Sequence, residues 1–132
     1  MNSSKRSMLA LLLTGLWINI SETIRWELLV KAYWVDFFDS FGHVLPEQAI
    51  NLVIWVIWGF SVALVIYVLS RKFSLIHTTL LAWCALFVLL WLVLWNLGIL
   101  PITILAIVIP WSFVEVFVAA WICKKLLPQE NT

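Results

Sequence analysis

The chain has 132 residues, of which 64% are hydrophobic and only 11% are charged, and its formal net charge is +1. A water-soluble domain of this size cannot bury so much apolar surface, so the composition excludes that class and indicates a membrane protein. A net charge close to zero predicts no nucleic-acid partner, and membrane lipids are the expected surroundings.

Four apolar runs, each of about 20 residues, are long enough to cross a bilayer core of roughly 30 Å. They predict an all-α, polytopic membrane protein, a four-transmembrane-helix bundle that forms a single domain over residues 1–132. The predicted helices cover about 8–29, 50–70, 76–97 and 102–123. No small-residue cleavage site follows the first run, so we expect a retained helix rather than a signal peptide.

Positive charges mark one side of the predicted membrane. They precede the first helix, occupy the second loop and follow the fourth helix, at Lys5, Arg6, Arg71, Lys72, Lys124 and Lys125. Cytoplasmic loops carry an excess of lysine and arginine. We therefore expect both termini in the cytoplasm of a multi-pass protein of the bacterial inner membrane.

The first helix carries polar groups that cannot face lipid. At about 100° per residue, Asn19, Glu22 and Arg25 fall within one arc. A charged side chain at the centre of a membrane costs about 2.5–3.5 kcal/mol, and the cost falls when opposite charges pair inside the protein. The spacing therefore predicts an ion pair between Glu22 and Arg25.

After the first helix, aromatic residues recur with helical spacing while charged residues occupy the other side. The rings are Tyr33, Trp34, Phe37, Phe38 and Phe41. Such a stripe is typical of a short amphipathic segment at the membrane interface, here over about 31–41. Gly42 and Pro46 are expected to end it.

Small residues mark the expected inward faces of the second and third helices. In the second helix one face carries Trp55, Gly59, Ala63 and Ser70, and Gly59 and Ala63 form a small-xxx-small pair that allows close approach of two backbones. In the third helix, the inward stripe is predicted at Thr78, Ala82, Ala85, Leu92 and Asn96.

Glu115 is the most distinctive residue of the fourth helix, because no other charged residue of that helix lies near it. Counted at about 1.5 Å per residue, Glu115 lies nearer the cytoplasm than Glu22 and Arg25 do, and Asn19 and Ser112 fall between these depths. Together the five residues predict a polar column of ligand or proton-coupling candidates. Two interpretations of Glu115 stay open: an acid that binds protons or a ligand, or a neutral carboxyl bonded to Asn19, Ser112 or a backbone carbonyl.

The sequence predicts no metal site and no cofactor. His43 stands near Asp36 and Asp39, but Gly42 and Pro46 disturb the register in which they could share a metal ion. No histidine falls at mid-membrane, so haem ligation by histidine inside the bundle is not expected. No glycine-rich loop that could hold a phosphate is present either.

The first helix together with residues 26–34, WELLVKAYW, resembles a pattern in a broad group of small bacterial four-helix membrane proteins to which no activity is assigned. There, the first helix ends in a tryptophan-led motif with a second tryptophan several residues on. The glycine and proline expected between the tryptophans are missing here. The architecture is also similar to that of small multidrug exporters, although Arg25 beside Glu22 and the charge bias of the loops argue against a dual-topology dimer.

These observations predict a non-enzymatic binding or accessory subunit, whose polar column holds the bundle together or holds a ligand. Its expected partners are membrane lipids and either a larger membrane complex or a second copy of the chain. Two alternatives stay open. One is a small proton-coupled transporter that uses Glu115 or Glu22, and the other is a lipid-modifying enzyme in which Arg25 holds a headgroup and Asp36 or Asp39 acts as base.

Overall fold

A computed structural model describes residues 1–127, and within that range the chain is helical and has no strand. The elements are α1 (Ser3–Arg25), a π-helical turn (Trp26–Val30), α2 (Lys31–Ser40), α3 (Ala49–Ser70), α4 (Leu75–Trp83), a second π-helical turn (Cys84–Val88), α5 (Leu89–Asn96), a 3-10 turn (Ile102–Ile104) and α6 (Leu105–Leu126). They join into four long helices, Ser3–Ser40, Ala49–Ser70, Leu75–Asn96 and Ile102–Leu126, called here the first to fourth helices. Each is long and apolar enough to cross a membrane, which confirms the predicted all-α class and the number of candidate spans.

The bundle has two ends. The terminal end holds Ser3, the loop after Ser70 and the end of the fourth helix, and the opposite end holds the two remaining loops. Polar caps begin helices at both ends: Asn2 Oδ1 accepts from the Lys5 backbone N–H at 2.9 Å, and the side chains of Gln48 and Asn51 cap α3 reciprocally. These caps satisfy backbone donors that the helices leave without a partner.

The first helix is longer than the sequence predicted. A boundary was expected near residue 30, but α1 continues into α2 through the π-helical turn, because the sequence has no glycine or proline between Gly15 and Gly42 to end it. Gly42, at φ +70°, then turns the chain. The Lys31 ammonium lies 2.8 Å from the Glu47 carboxylate and ties the following loop back to α2.

The core lies where the first, second and fourth helices meet. Its central members are fully buried branched side chains, Ile18, Ile66 and Val116, one from each of these helices. A smaller cluster at the opposite end joins Val30 to Leu100, Ile104 and Val108, and Trp34 packs against it. The first helix therefore packs along both neighbours and buries two faces rather than one.

The first and second helices approach closely at two glycines. A Cβ atom at Gly15 would lie 2.3 Å from the Phe60 ring, and one at Gly59 would lie 2.6 Å from Asn19 Nδ2. Each glycine thus accepts a side chain of the other helix. The face predicted for the second helix is confirmed in part. Gly59, Ala63 and Ser70 are buried, but Trp55 is 53% exposed, because residues 49–57 of this helix have no buried position.

The inward stripe predicted for the third helix is correct only over its first half. Thr78 and Ala82 are buried, but Ala85, Leu92 and Asn96 are exposed. The reason is the π-helical turn Cys84–Val88, which inserts one extra residue and rotates the face that follows by about 100°. Beyond this turn, the side chains that pack inward are Phe87 and Trp91.

Candidate functional site

Glu115 lies in α6, where it faces the first helix and is 1% exposed. Ser21 Oγ donates a hydrogen bond of 2.5 Å to Glu115 Oε2, and Trp111 Nε1 donates to the same hydroxyl at 3.1 Å. From the first helix, Trp17 Nε1 donates to the Glu115 backbone carbonyl at 2.9 Å. Two tryptophans and a serine therefore fix the position of this carboxyl between the first and fourth helices.

Glu22 and Arg25 form the predicted ion pair, in which Arg25 Nη2 donates to Glu22 Oε2. Both side chains are largely buried, with exposed fractions of 13% for Glu22 and 15% for Arg25. Ser21, the residue before Glu22, bonds the Glu115 carboxyl, and Glu22 and Arg25 are both near enough to act on Glu115 electrostatically. Two acids and one guanidinium thus meet in one cluster, called here the Glu22–Arg25–Glu115 triad.

The triad replaces the predicted column, which separated Glu115 from Glu22 and Arg25 by depth. The depth estimate assumed that the first and fourth helices end at the same level. In the structure Ser21 bonds Glu115, so the first helix, which begins at Ser3, extends past Leu126, where the fourth helix ends, by more than a turn. This offset brings Ser21 and Glu22 level with Glu115.

Three buried polar atoms of the triad have no hydrogen-bond partner among the described residues: Glu22 Oε1, Glu115 Oε1 and Arg25 Nε. A buried polar atom without a partner costs about 1–3 kcal/mol, more where a charge is involved. Each carboxyl has one oxygen held by a donor, so its second oxygen is the one that is free to accept or carry a proton.

Two other predicted members of the column lie elsewhere. Asn19 donates to the Gly15 carbonyl at 2.9 Å and packs against Gly59, so it belongs to the contact with the second helix. Ser112 accepts from Trp83 Nε1 at 2.9 Å and donates to the Val108 carbonyl at 2.5 Å, so it faces the third helix. Neither bonds Glu115, which corrects the expected partners of that acid.

Sequence reasoning did not identify Ser21, Trp17 and Trp111 as neighbours of Glu115. Ser21 and Arg25 are four residues apart and therefore share a face of the helix, a spacing that placed the hydroxyl beside the charged groups. The indole N–H groups were a second signal, because a tryptophan buried in an apolar bundle requires an acceptor. Neither signal states which helix supplies the acceptor.

The outer-loop groups do not join the triad. Asp36, Asp39 and His43 are exposed, and residues 1–127 contain no group of three or more potential metal ligands. The aromatic stripe instead lines an open groove of about 500 Å³ against the end of the third helix. Its walls are Trp34, Phe37, Phe38, Phe41, His43, Leu94, Leu97, Gly98 and Ile99.

The triad has a definite charge chemistry. With both acids ionised its net charge is −1, and with one proton added it is neutral. Two buried carboxyls that lie near each other inside an apolar bundle cannot both stay ionised without a large cost, so the arrangement is suited to holding a proton.

Comparison with protein families, with curated proteins and with solved structures found no match for this chain. The resemblance based on residues 26–34 therefore stays a prediction. Conclusions about function rest on the geometry of the bundle.

Proposed function

We propose that this chain is a multi-pass protein of the bacterial inner membrane that acts as a non-enzymatic binding or accessory subunit, with both termini in the cytoplasm. Four helices with the length and composition of membrane spans support the location. The excess of lysine and arginine at the terminal end supports the orientation, because such residues are retained on the cytoplasmic side.

The observation that carries the accessory role is the loose packing of the second helix at the opposite end. Residues 49–57 include no buried position on any face, whereas Gly59, Val62 and Ala63 in the next turns are buried. The antiparallel partner, Leu89–Asn96 of the third helix, also has no buried residue. This region is called here the unpacked half of the second helix.

Exposure to lipid alone would not indicate a partner, because contact between apolar side chains and lipid is energetically favourable. The absence of a packed face is more informative, since helices in membranes associate through close van der Waals contact along a face. Trp55, which is 53% exposed, adds a large ring of the kind that anchors protein contacts. We infer that a membrane helix of a larger complex packs against this half.

Crosslinking tests this proposal with a matched pair of positions in one helix. A photoreactive amino acid at Val53 lies in the unpacked half, and the same residue at Val68 lies in the packed half; the two valines are 52% and 50% exposed. In native membranes we expect crosslinks to another protein from position 53 and few or none from position 68. Equal yields at both positions would contradict the proposal, and a product twice the mass of the chain would indicate a homo-oligomer instead.

A second candidate function is a small proton-coupled transporter, favoured by the burial of the Glu22 and Glu115 carboxyls close to each other inside the bundle. Intramembrane acids that lie close together are a recurrent feature of proton pathways. Purified protein in liposomes should then move protons in response to a substrate, and Glu115→Gln should remove that response while Glu47→Gln, at an exposed loop acid, should not. Unchanged flux in Glu115→Gln would exclude Glu115 from such a pathway.

The lipid-modifying alternative has the least support from the geometry. It requires an Arg25 that is free to hold a headgroup, but the guanidinium is paired with Glu22 inside the bundle. Asp36 and Asp39, the proposed bases, lie on the exposed side of α2 and make no ion pair with another described residue.

A further inference from the structure

We propose that Glu22 and Glu115 form a single binding site for one proton, held between Glu22 Oε1 and Glu115 Oε1 and balanced in charge by Arg25. The proposal does not depend on the accessory role and does not require transport. It assigns a chemical function to the two acids as a pair, rather than to Glu115 alone.

The hydrogen bonds of the triad leave one oxygen of each carboxyl and one donor, Arg25 Nε, without a partner. Arg25 occupies Glu22 Oε2, and Ser21 occupies Glu115 Oε2. The second oxygen of each carboxyl is buried and has no partner, and the bond from Ser21 to Glu115 places the adjacent Glu22 beside that acid. A proton on one of these oxygens satisfies both at once, because the protonated oxygen donates and the other accepts.

The charges of the triad also indicate that it binds one proton. The ionisable groups that act on Glu115 are Glu22 and Arg25, and its other neighbours Ser21, Trp17 and Trp111 are neutral donors. Two carboxylates and one guanidinium leave one negative charge, which a single proton neutralises. A second proton would leave Arg25 without a counter-charge, and no proton would leave two anions close to each other.

Infrared spectroscopy of the purified protein in lipid vesicles can count protonated carboxyls through the carboxylic C=O stretching band and its shift in D₂O. At neutral pH we expect this band in the wild type and its loss in both Glu22→Gln and Glu115→Gln. In either variant the remaining acid keeps Arg25 as counter-charge and receives a donor from the new amide, so it has no need of a proton. Glu47→Gln, at an exposed acid of the loop, should leave the band unchanged.

Independent protonation would give a different pattern. If Glu115 carried its own proton, the band would persist in Glu22→Gln and disappear only in Glu115→Gln, which would overturn the shared site. Absence of the band from the wild type would overturn it as well. Should Glu22→Gln fail to fold, Glu22→Met gives the same decision, because it also leaves Arg25 as the counter-charge of Glu115: a shared site predicts loss of the band, and independent protonation predicts that it persists. An unchanged band in that variant would reject the proposal.

Discussion

Replacing Arg25 with glutamine should lower the free energy of unfolding by about 3 kcal/mol, the lower end of the range for breaking a buried ion pair from one side. The guanidinium is the only positive group that acts on the two acids of the triad in the described part of the chain. Without it, Glu22 loses its donor and the acids must both become neutral or repel each other. Unfolding in mixed detergent micelles measures the loss.

Two controls separate this effect from the loss of any arginine. Arg71→Gln removes the same side chain at an exposed position and should change the unfolding free energy by less than about 0.5 kcal/mol. The double variant Glu22→Gln with Arg25→Gln should recover most of the stability, since it removes the uncompensated acid together with its counter-charge. Equal losses in Arg25→Gln and Arg71→Gln would show that the triad contributes no ion pairing.

The number and character of the helices could be predicted because they depend on local sequence alone. Runs of about 20 apolar residues can be read directly, and the pair of Glu22 and Arg25 follows from a spacing within one helix. The structure agrees with both. In each case the partners are separated by less than one helical turn or lie within one continuous run.

Contacts between helices could not be predicted in the same way. The first helix buries two faces, so the polar arc that includes Asn19 and Glu22 is divided between the second and fourth helices. A periodic pattern predicts that one face of a helix is buried, but it does not predict which other helix packs against that face. The assumption that helices end at one level then misplaced Glu115 by more than a turn.

The π-helical turns set a second limit. Each inserts a residue that a period of 3.6 residues per turn does not predict. All later side chains of the helix are therefore rotated about its axis from their predicted directions. Before the turn at Cys84–Val88 the predicted inward face of the third helix is correct. After the turn the prediction is wrong, because Leu92 and Asn96 are exposed. Nothing in the local composition of that stretch, CALFV, marks the extra residue.

Replacing the whole triad with methionine, as Glu22→Met, Arg25→Met and Glu115→Met together, should leave the unfolding free energy within about 1 kcal/mol of the wild type or raise it. A complete buried ionic cluster is often no more stabilising than apolar residues of similar volume, because desolvation offsets the attraction between its charges. Ser21 keeps a partner in the variant, since a helical serine can donate to the carbonyl four residues earlier, that of Trp17. The same variant should lose the carboxylic infrared band completely.

This comparison decides whether the triad is retained for the fold or for its proton. Stability in the triple variant that equals or exceeds the wild type, beside the loss of about 3 kcal/mol in Arg25→Gln, would mean that the bundle does not need the triad as a structural lock. The polar groups would then be kept for the proton that they hold. A triple variant that is less stable than Arg25→Gln would contradict this, because it would make the polar contact itself the main bond between the first and fourth helices. None of these substitutions removes Ile18 or Val116, so the fully buried apolar packing that these two residues provide is the same in every variant.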